Sequence, residues 1–136
     1  MAVLVLSIGL LGIALMQTRA LAGNNSTSSR SIAVVASYSI LESMRADKAN
    51  ALAGNYDANL TGDTCNGGST TFAQKQLTAW CNDLATKLGN TTSTIAVTDC
   101  DSTGICTVTI TFDDSHVGTA AQGVPQTTSV VTKAGL

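Results

Sequence analysis

The sequence is poor in charged residues, in aromatic residues and in the motifs that bind metal ions or phosphate. Asp, Glu, Lys and Arg make up 12% of the chain, the formal net charge is −2, and there is no basic cluster. Because nucleic-acid binding depends on a basic surface, that class of function has little support. The chain also has no glycine-rich phosphate loop and no C-x2-C pair. We therefore expect no cofactor, no metal and no nucleic-acid partner.

Residues suited to catalysis are equally scarce. The chain's single histidine, His116, follows a predicted strand with no nucleophile placed near it. Asp113 and Asp114 are neighbours at the end of that strand, where successive side chains point to opposite faces, so we expect them to be solvated and not paired. The sequence therefore predicts a protein that is not an enzyme.

Two stretches share the first positions of calcium-binding loops. Residues 57–62 (DANLTG) and residues 99–104 (DCDSTG) have oxygen-bearing side chains at the early ligand positions, followed by a glycine. The twelfth position, where a bidentate glutamate belongs, is Gly68 in the first and Ile110 in the second. We interpret both as turns in which Asp or Asn side chains bond the nearby backbone, and residues near Asp57 as the better of two weak calcium candidates.

All four cysteines lie in the C-terminal half of the chain: Cys65, Cys81, Cys100 and Cys106. Small domains outside the cytoplasm often use disulfides to supplement a limited core. Four cysteines allow three pairings. We expect Cys100–Cys106 across a hairpin and Cys65–Cys81 between a loop and a helix, each contributing about 2–4 kcal/mol to stability.

The chain opens on an uncharged apolar run, MAVLVLSIGLLGIALM. Its fifteen residues from Ala2 to Met16 are fewer than the roughly twenty that a helix needs to cross a bilayer. A secretory signal is a second interpretation, because Ala20-Leu21-Ala22 before Gly23 fits a small-x-small cleavage site, although the basic n-region is missing. A third interpretation is that residues upstream of Met1 complete the span.

Residues 1–53 are predicted to form one long helix, apolar over residues 1–22 and amphipathic over residues 23–53. Such a helix would measure about 78 Å, so it has to pack in lipid or against other copies. Gly54 is placed to end it. The residues expected to pack the helix and the rest of the chain together are Val34, Tyr38, Leu41 and Trp80.

Residues 54–136 are predicted to form a globular α/β head. A loop over residues 55–70 precedes an amphipathic helix over residues 72–88, which Thr71 and Gln74 open as a capping box. Alternating β-branched residues predict a hairpin that turns at residues 101–104, and residues 127–132 predict a last strand. The predicted fold class is α+β, with a long N-terminal helix packed on a small antiparallel β-sheet and disulfides in the head.

This order of elements resembles the type IV pilins. Residues 3–12 (VLVLSIGLLG) and residues 39–46 (SILESMRA), followed by Asn50 and Tyr56, resemble the helix of minor pilins of the type IV pilus modification protein (PilV) group. The helix around Trp80 and the strand over residues 106–113 are also similar to that group. The similarity is strong through about residue 56 and weaker beyond it.

The sequence departs from that family at its beginning. Pilins carry a basic leader, a prepilin-peptidase site and a Phe-Thr-Leu-Ile-Glu start, and none of these is found here. We expect the chain to be N-terminally truncated relative to the pilin pattern. Leader processing and Glu-directed assembly are therefore assigned to no residue of this sequence.

The resemblance implies a structural subunit of a type IV pilus, as a minor pilin in pilus initiation, a tip complex and adhesion. Its implied partners are other pilin subunits, and its implied location is the bacterial inner membrane (single pass) and then the extracellular fibre. The alternative is a secreted disulfide-bonded binding domain, cleaved after Ala22. The residues implied to lie in the membrane or filament core are Val3, Leu4, Leu6, Ile8, Leu10, Leu11, Ile13 and Leu15.

Overall fold

The structure, a computed structural model, describes residues 2–88, 94–114 and 127–136. Within the first helix it describes the side chains of residues 6–17, of residue 24 and of all residues from 26 onward. The elements in chain order are α1 (Ala2–Ala46), α2 (Lys48–Leu52), β1 (Ala58–Thr61), α3 (Phe72–Leu88), β2 (Ile95–Cys100), β3 (Ile105–Asp113) and β4 (Thr127–Gly135).

The described strands form one four-stranded antiparallel sheet in the order β1-β2-β3-β4. This confirms the predicted α+β class with an antiparallel sheet. The predicted hairpin is β2–β3, whose register ends at Cys100 opposite Cys106. Gly104 adopts φ +89° in the turn, a conformation that glycine reaches without strain.

β1 corrects the prediction of a loop over residues 55–70. The strand lies at one edge of the sheet and runs along β2, from Ala58 opposite Thr98 to Thr61 opposite Ile95. Its sequence, ANLT, is short and half polar, so it carries little strand signal of its own. Residues 58–61 form a strand because their backbone N–H and C=O groups pair with those of β2.

One face of the sheet packs against α1, which also packs against α3. The buried stripe of α1 includes Ala33, Ser37, Ile40, Leu41 and Met44, each no more than 1% exposed. These positions follow the spacing of one helical face. They meet the inward side chains of the sheet, which include Val108, Ile110 and Phe112.

The structure corrects the predicted contact residues of α1. Leu41 is fully buried, but Val34 and Tyr38 are 39% and 56% exposed. One residue along a helix is a rotation of about 100°, so Val34 beside Ala33 and Tyr38 beside Ser37 lie on the flank of the buried stripe. The buried stripe therefore runs one position earlier than predicted, through Ala33 and Ser37.

α1 ends at Ala46, and the chain continues as α2 instead of reaching residue 53 as one helix. Asp47 leaves helical geometry, with φ −121° and ψ 47°. Its carboxylate accepts hydrogen bonds from Asn50 Nδ2 at 2.7 Å and from the Tyr56 hydroxyl at 3.4 Å. Aspartate favours such local polar contacts over the helix interior.

Gly54 is the C′ residue of a helix as predicted, but the helix that it ends is the short α2 and not the long α1. The Gly54 N–H donates to the Ala51 carbonyl and the Asn55 N–H donates to the Asn50 carbonyl, and Gly54 has φ +75°. This pair of bonds is the Schellman motif. The predicted division into residues 1–53 and 54–136 stays a prediction.

α3 has the bounds that the sequence predicts. The capping box is present, since the Gln74 N–H donates to Thr71 Oγ1 and the Thr71 N–H donates to Gln74 Oε1, both at 3.3 Å. Its buried face includes Leu77, Trp80 and Leu84. Gly89, expected to close the helix, lies outside the described residues.

Both predicted disulfides are confirmed. Cys65–Cys81 joins the segment after β1 to α3 with a Cα–Cα distance of 5.4 Å, and Cys100–Cys106 joins β2 to β3 with a Cα–Cα distance of 4.1 Å. The first bridge holds α3 at the edge of the sheet, and the second closes the hairpin beside the core.

Truncating the buried stripe of α1 is expected to destabilise the fold strongly. Leu41→Ala removes three buried carbon atoms and leaves a cavity, and we expect unfolding to become easier by about 2–5 kcal/mol. Val35→Ala is the control, because Val35 is 69% exposed and should change stability by no more than about 0.5 kcal/mol. Urea unfolding with the disulfides intact measures both, and equal effects would contradict this account of the core.

Ionisation of Tyr56 is expected to destabilise the fold at high pH. Burial, and secondly the Asp47 carboxylate, raise the pKa of Tyr56 above its ordinary value of 10.0. The folded protein therefore holds this proton more tightly than the unfolded chain does. The resulting stabilisation is complete below pH 10 and is lost as the pH rises further.

Absorbance titration of a Tyr38→Phe variant isolates Tyr56, because the chain has two tyrosines. We expect a midpoint above 10.0. Adding Asp47→Asn should lower that midpoint, since it removes the neighbouring negative charge. A midpoint at or below the ordinary value in folded protein would contradict the prediction.

Candidate functional site

The N-terminal part of α1 exposes large apolar side chains to solvent. We call residues 6–16 the apolar segment. Every described side chain from residue 6 to residue 17 is exposed, with fractions from 57% to 77% for the large apolar ones. They are Leu6, Ile8, Leu10, Leu11, Ile13, Leu15 and Met16.

These side chains cover every side of the helix. At 100° per residue, residues 8, 10, 11 and 16 point in four directions that are separated by about 60–120° around the helix axis. A helix that is apolar all round is normally buried in a protein or in lipid. Exposure of the apolar segment to water is therefore unfavourable. A large exposed apolar surface of this kind indicates a site that contacts another protein or a membrane. The side chains of Val3 and Leu4, predicted to belong to this surface, lie outside the described part.

Within residues 2–88, 94–114 and 127–136, no helix combines the length and the hydropathy that crossing a bilayer requires.

A second apolar surface lies beside the head, between α1 and α3. We call it the α1–α3 groove; its volume is about 350 Å³. Ile32, Val35 and Ala36 of α1 form one wall, and Trp80 of α3 lies opposite. Val35 is 69% exposed there, so the groove is an apolar surface open to solvent.

Trp80 is fixed in this groove by its one polar atom. Its Nε1–H donates to the backbone carbonyl of Ala36 at 2.9 Å. With that hydrogen bond made, the small part of the indole that reaches the groove is apolar. Trp80 is 8% exposed and so also joins α3 to α1, which agrees with its predicted packing role.

The rim of the groove is polar but carries no net formal charge. Asp83 and Lys87 lie one turn apart on α3, and Lys87 Nζ donates to Asp83 Oδ2 at 2.7 Å. Serines of α1 supply the remaining polar groups. The groove therefore matches an uncharged, apolar occupant.

Asp114 fastens α1 to the end of the sheet. Its Oδ2 accepts from Ser26 Oγ at 2.8 Å and from Thr128 Oγ1 at 3.1 Å, and Arg30 Nη2 lies 3.7 Å away. Asp114 is 6% exposed, which corrects the expectation that it is solvated. Its partners come from α1 and β4, and no sequence spacing connects them.

The better calcium candidate lies in strand β1 and the segment around it. Asp57 Oδ1 accepts from the Cys100 N–H at 2.9 Å, and Asn59 and Thr61 pair with β2. The carboxylate thus caps the edge of the sheet. Among the described residues, no group of three His, Cys, Asp or Glu side chains is placed to hold a metal ion.

The other candidate is the β2–β3 turn. Asp101 Oδ1 accepts from the Thr103 hydroxyl at 2.6 Å and from the N–H groups of Thr103 and Ile105 at 2.9 Å. The Thr103 hydroxyl first, and then the Ile105 N–H, hold the pKa of Asp101 below its ordinary value. This is the predicted turn chemistry.

The described residues bring together no nucleophile, base and orienting group. His116 lies outside them. The functional feature that sequence reasoning missed is the α1–α3 groove, because the residues of α1 and α3 that line it are more than forty positions apart in the chain. The sequence did contain one signal of the groove. α1 has more apolar residues than its buried stripe needs, and Ile32 and Val35 are among those that lie off the stripe.

The chain was compared with models of protein families, with curated proteins and with solved structures. No family model matches, no curated protein matches and no solved structure matches.

Proposed function

We propose that this chain is a structural subunit of a filament, of the type IV pilin kind, and that copies associate through α1. The observation that carries the proposal is the apolar segment, exposed on every side of a helix whose other end is anchored in the head. A chain folded in this way needs an apolar environment for the N-terminal part of α1. Lipid and other copies of the same helix both supply it.

The charge pattern supports this proposal. The apolar segment has no charged residue, so copies can pack side by side without burying an unpaired charge. A Cβ added to Gly9 or Gly12 would meet nothing within 4 Å, and the absence of a side chain at both positions permits close approach of a neighbouring helix. Transfer from lipid into a bundle of identical helices then exposes little apolar surface to water.

The finer proposal follows the resemblance to the PilV group. The chain is a minor pilin that acts in pilus initiation and adhesion, held at the bacterial inner membrane and then carried into an extracellular fibre. The two disulfides support a location outside the reducing cytoplasm.

The secreted-domain alternative requires cleavage after Ala22. α1 is helical through Ala22 and Gly23, so in this fold the site of that cleavage lies inside a continuous helix. The filament proposal is therefore the better supported of the two.

A charge in the apolar segment is expected to abolish self-association. In Leu11→Asp the carboxylate would be desolvated in the helix contact without a partner. We expect association, measured by analytical ultracentrifugation after detergent dilution, to weaken about a hundredfold or more. Val131→Asp is the matched control, because Val131 is also exposed but lies in β4.

In that control, association should stay within about threefold of the unsubstituted chain. Equal association of Leu11→Asp and the unsubstituted chain would contradict assembly through α1. An equal loss in both variants would show that added charge acts nonspecifically, and would also contradict the proposal.

The mature protein is expected to retain the apolar segment. Intact-mass measurement of protein from the membrane and filament fractions should give chains that include residues 6–16. A mature chain that begins at Gly23 would support the secreted domain and overturn the filament proposal.

A further inference from the structure

We infer that the α1–α3 groove of one copy receives the apolar segment of a second copy. The inference rests on the proposed function, because it assigns the surface on the head to which a neighbouring helix binds. It makes the contact between copies asymmetric: one contributes the apolar segment, and the other contributes the groove.

The groove needs an uncharged apolar occupant. Ile32, Val35 and Trp80 give it apolar walls, and the indole N–H of Trp80 is already bonded to Ala36. At the rim, Lys87 and Asp83 neutralise each other. A charged ligand would therefore find no countercharge, whereas an uncharged apolar helix leaves no charge unpaired.

The same chain carries such an occupant. The apolar segment has no charge and exposes seven large apolar side chains. One ridge of it, formed by Ile8, Leu11 and Leu15, has the i, i+3, i+7 spacing of a helix that lies in a groove. The groove is bordered by a helix on each side, as ridge-into-groove packing requires.

A chain cannot fill its own groove. α1 is helical from Ala2 to Ala46, so Leu11 and Val35 are held about 36 Å apart along one axis at 1.5 Å per residue. The segment can reach only the groove of another copy. If the two helices are parallel, that copy is displaced along the axis by a similar distance.

An antiparallel pair would exchange both segments and close as a two-fold dimer, whereas in a parallel pair the contact leaves one segment and one groove unfilled. In the parallel pair, the chain whose segment has bound still offers its groove, and the other chain still offers its segment. Repetition of such a head-to-tail contact gives a ring or an open helical filament. The parallel contact thus supplies the geometry that the proposed function needs.

Cysteine cross-linking tests the contact directly. The four native cysteines are all in disulfides, so an introduced cysteine reports only on itself. Full-length chains carrying Leu11→Cys are mixed with affinity-tagged chains carrying Val35→Cys, assembled by detergent dilution and oxidised. Val131→Cys replaces Val35→Cys in the matched control, because both valines are exposed.

We expect the Leu11–Val35 heterodimer to exceed the Leu11–Val131 heterodimer at least about tenfold on a non-reducing gel. Equal yields, or linkage of Leu11 to Leu11 alone in assembled material, would overturn the groove contact while leaving filament assembly through α1 intact. Sedimentation of the same samples measures assembly independently of the cross-linking yield. If no assembly is detected, the proposed function itself is contradicted.

A charge in the groove gives a second readout. Val35→Glu should weaken self-association at least about tenfold, and Val131→Glu should change it less than about threefold. Thermal unfolding of both variants verifies that the head is folded, as expected for substitutions at exposed sites. Equal association of the two folded variants would overturn the inference.

Lipid is the rival occupant of the groove. A polarity-sensitive fluorophore on Val35→Cys is measured in phosphatidylcholine vesicles, at a dilution where the chain is monomeric. A blue shift under those conditions would assign the groove to lipid and overturn the proposal. A blue shift that appears only at concentrations where the chains associate supports it.

Discussion

The structure depends on the packing of one stripe of α1 against the inner face of the sheet. Ala33, Ile40 and Leu41 cover the apolar side chains of β3, and α3 closes the core from the side. A four-stranded sheet with one uncovered apolar face would not be stable in water. The bonds of Asp114 to Ser26 and of Trp80 to Ala36 add fixed polar contacts at two points along the same helix.

The same packing decides the exposure of the rest of α1. A helix anchored through residues 26–44 carries its earlier residues away from the head, because it continues without a break. The head therefore leaves the apolar segment uncovered, and the segment has to find lipid or another protein surface. A groove without net formal charge beside the anchored part provides one such surface. Because α1 is one continuous helix, the packing of its residues 26–44 on the head also leaves the apolar segment exposed and available to another copy.

The elements that were predicted correctly carry strong local signals. The capping box at Thr71, the alternation along β3 and the glycine at position 104 each specify geometry within a few residues. β1 was missed because its four residues become a strand only beside β2. Val34 and Tyr38 were assigned to the core because periodicity gives the helical face to within about one residue, and the packing of α1 on α3 and the sheet buries the neighbouring positions Ala33 and Ser37.

The sequence by itself determined the class of the fold, the hairpin that carries Cys100 and Cys106, and the apolar character of the N-terminal helix, because these follow from patterns along a single stretch of chain. Only the tertiary structure decided which flank of α1 stays exposed, that Asp114 is buried, and that Trp80 faces Ala36 across a groove. Each of those features brings together side chains that are more than forty residues apart. Their distances are set by how α1, α3 and the sheet pack, and no local pattern encodes that packing.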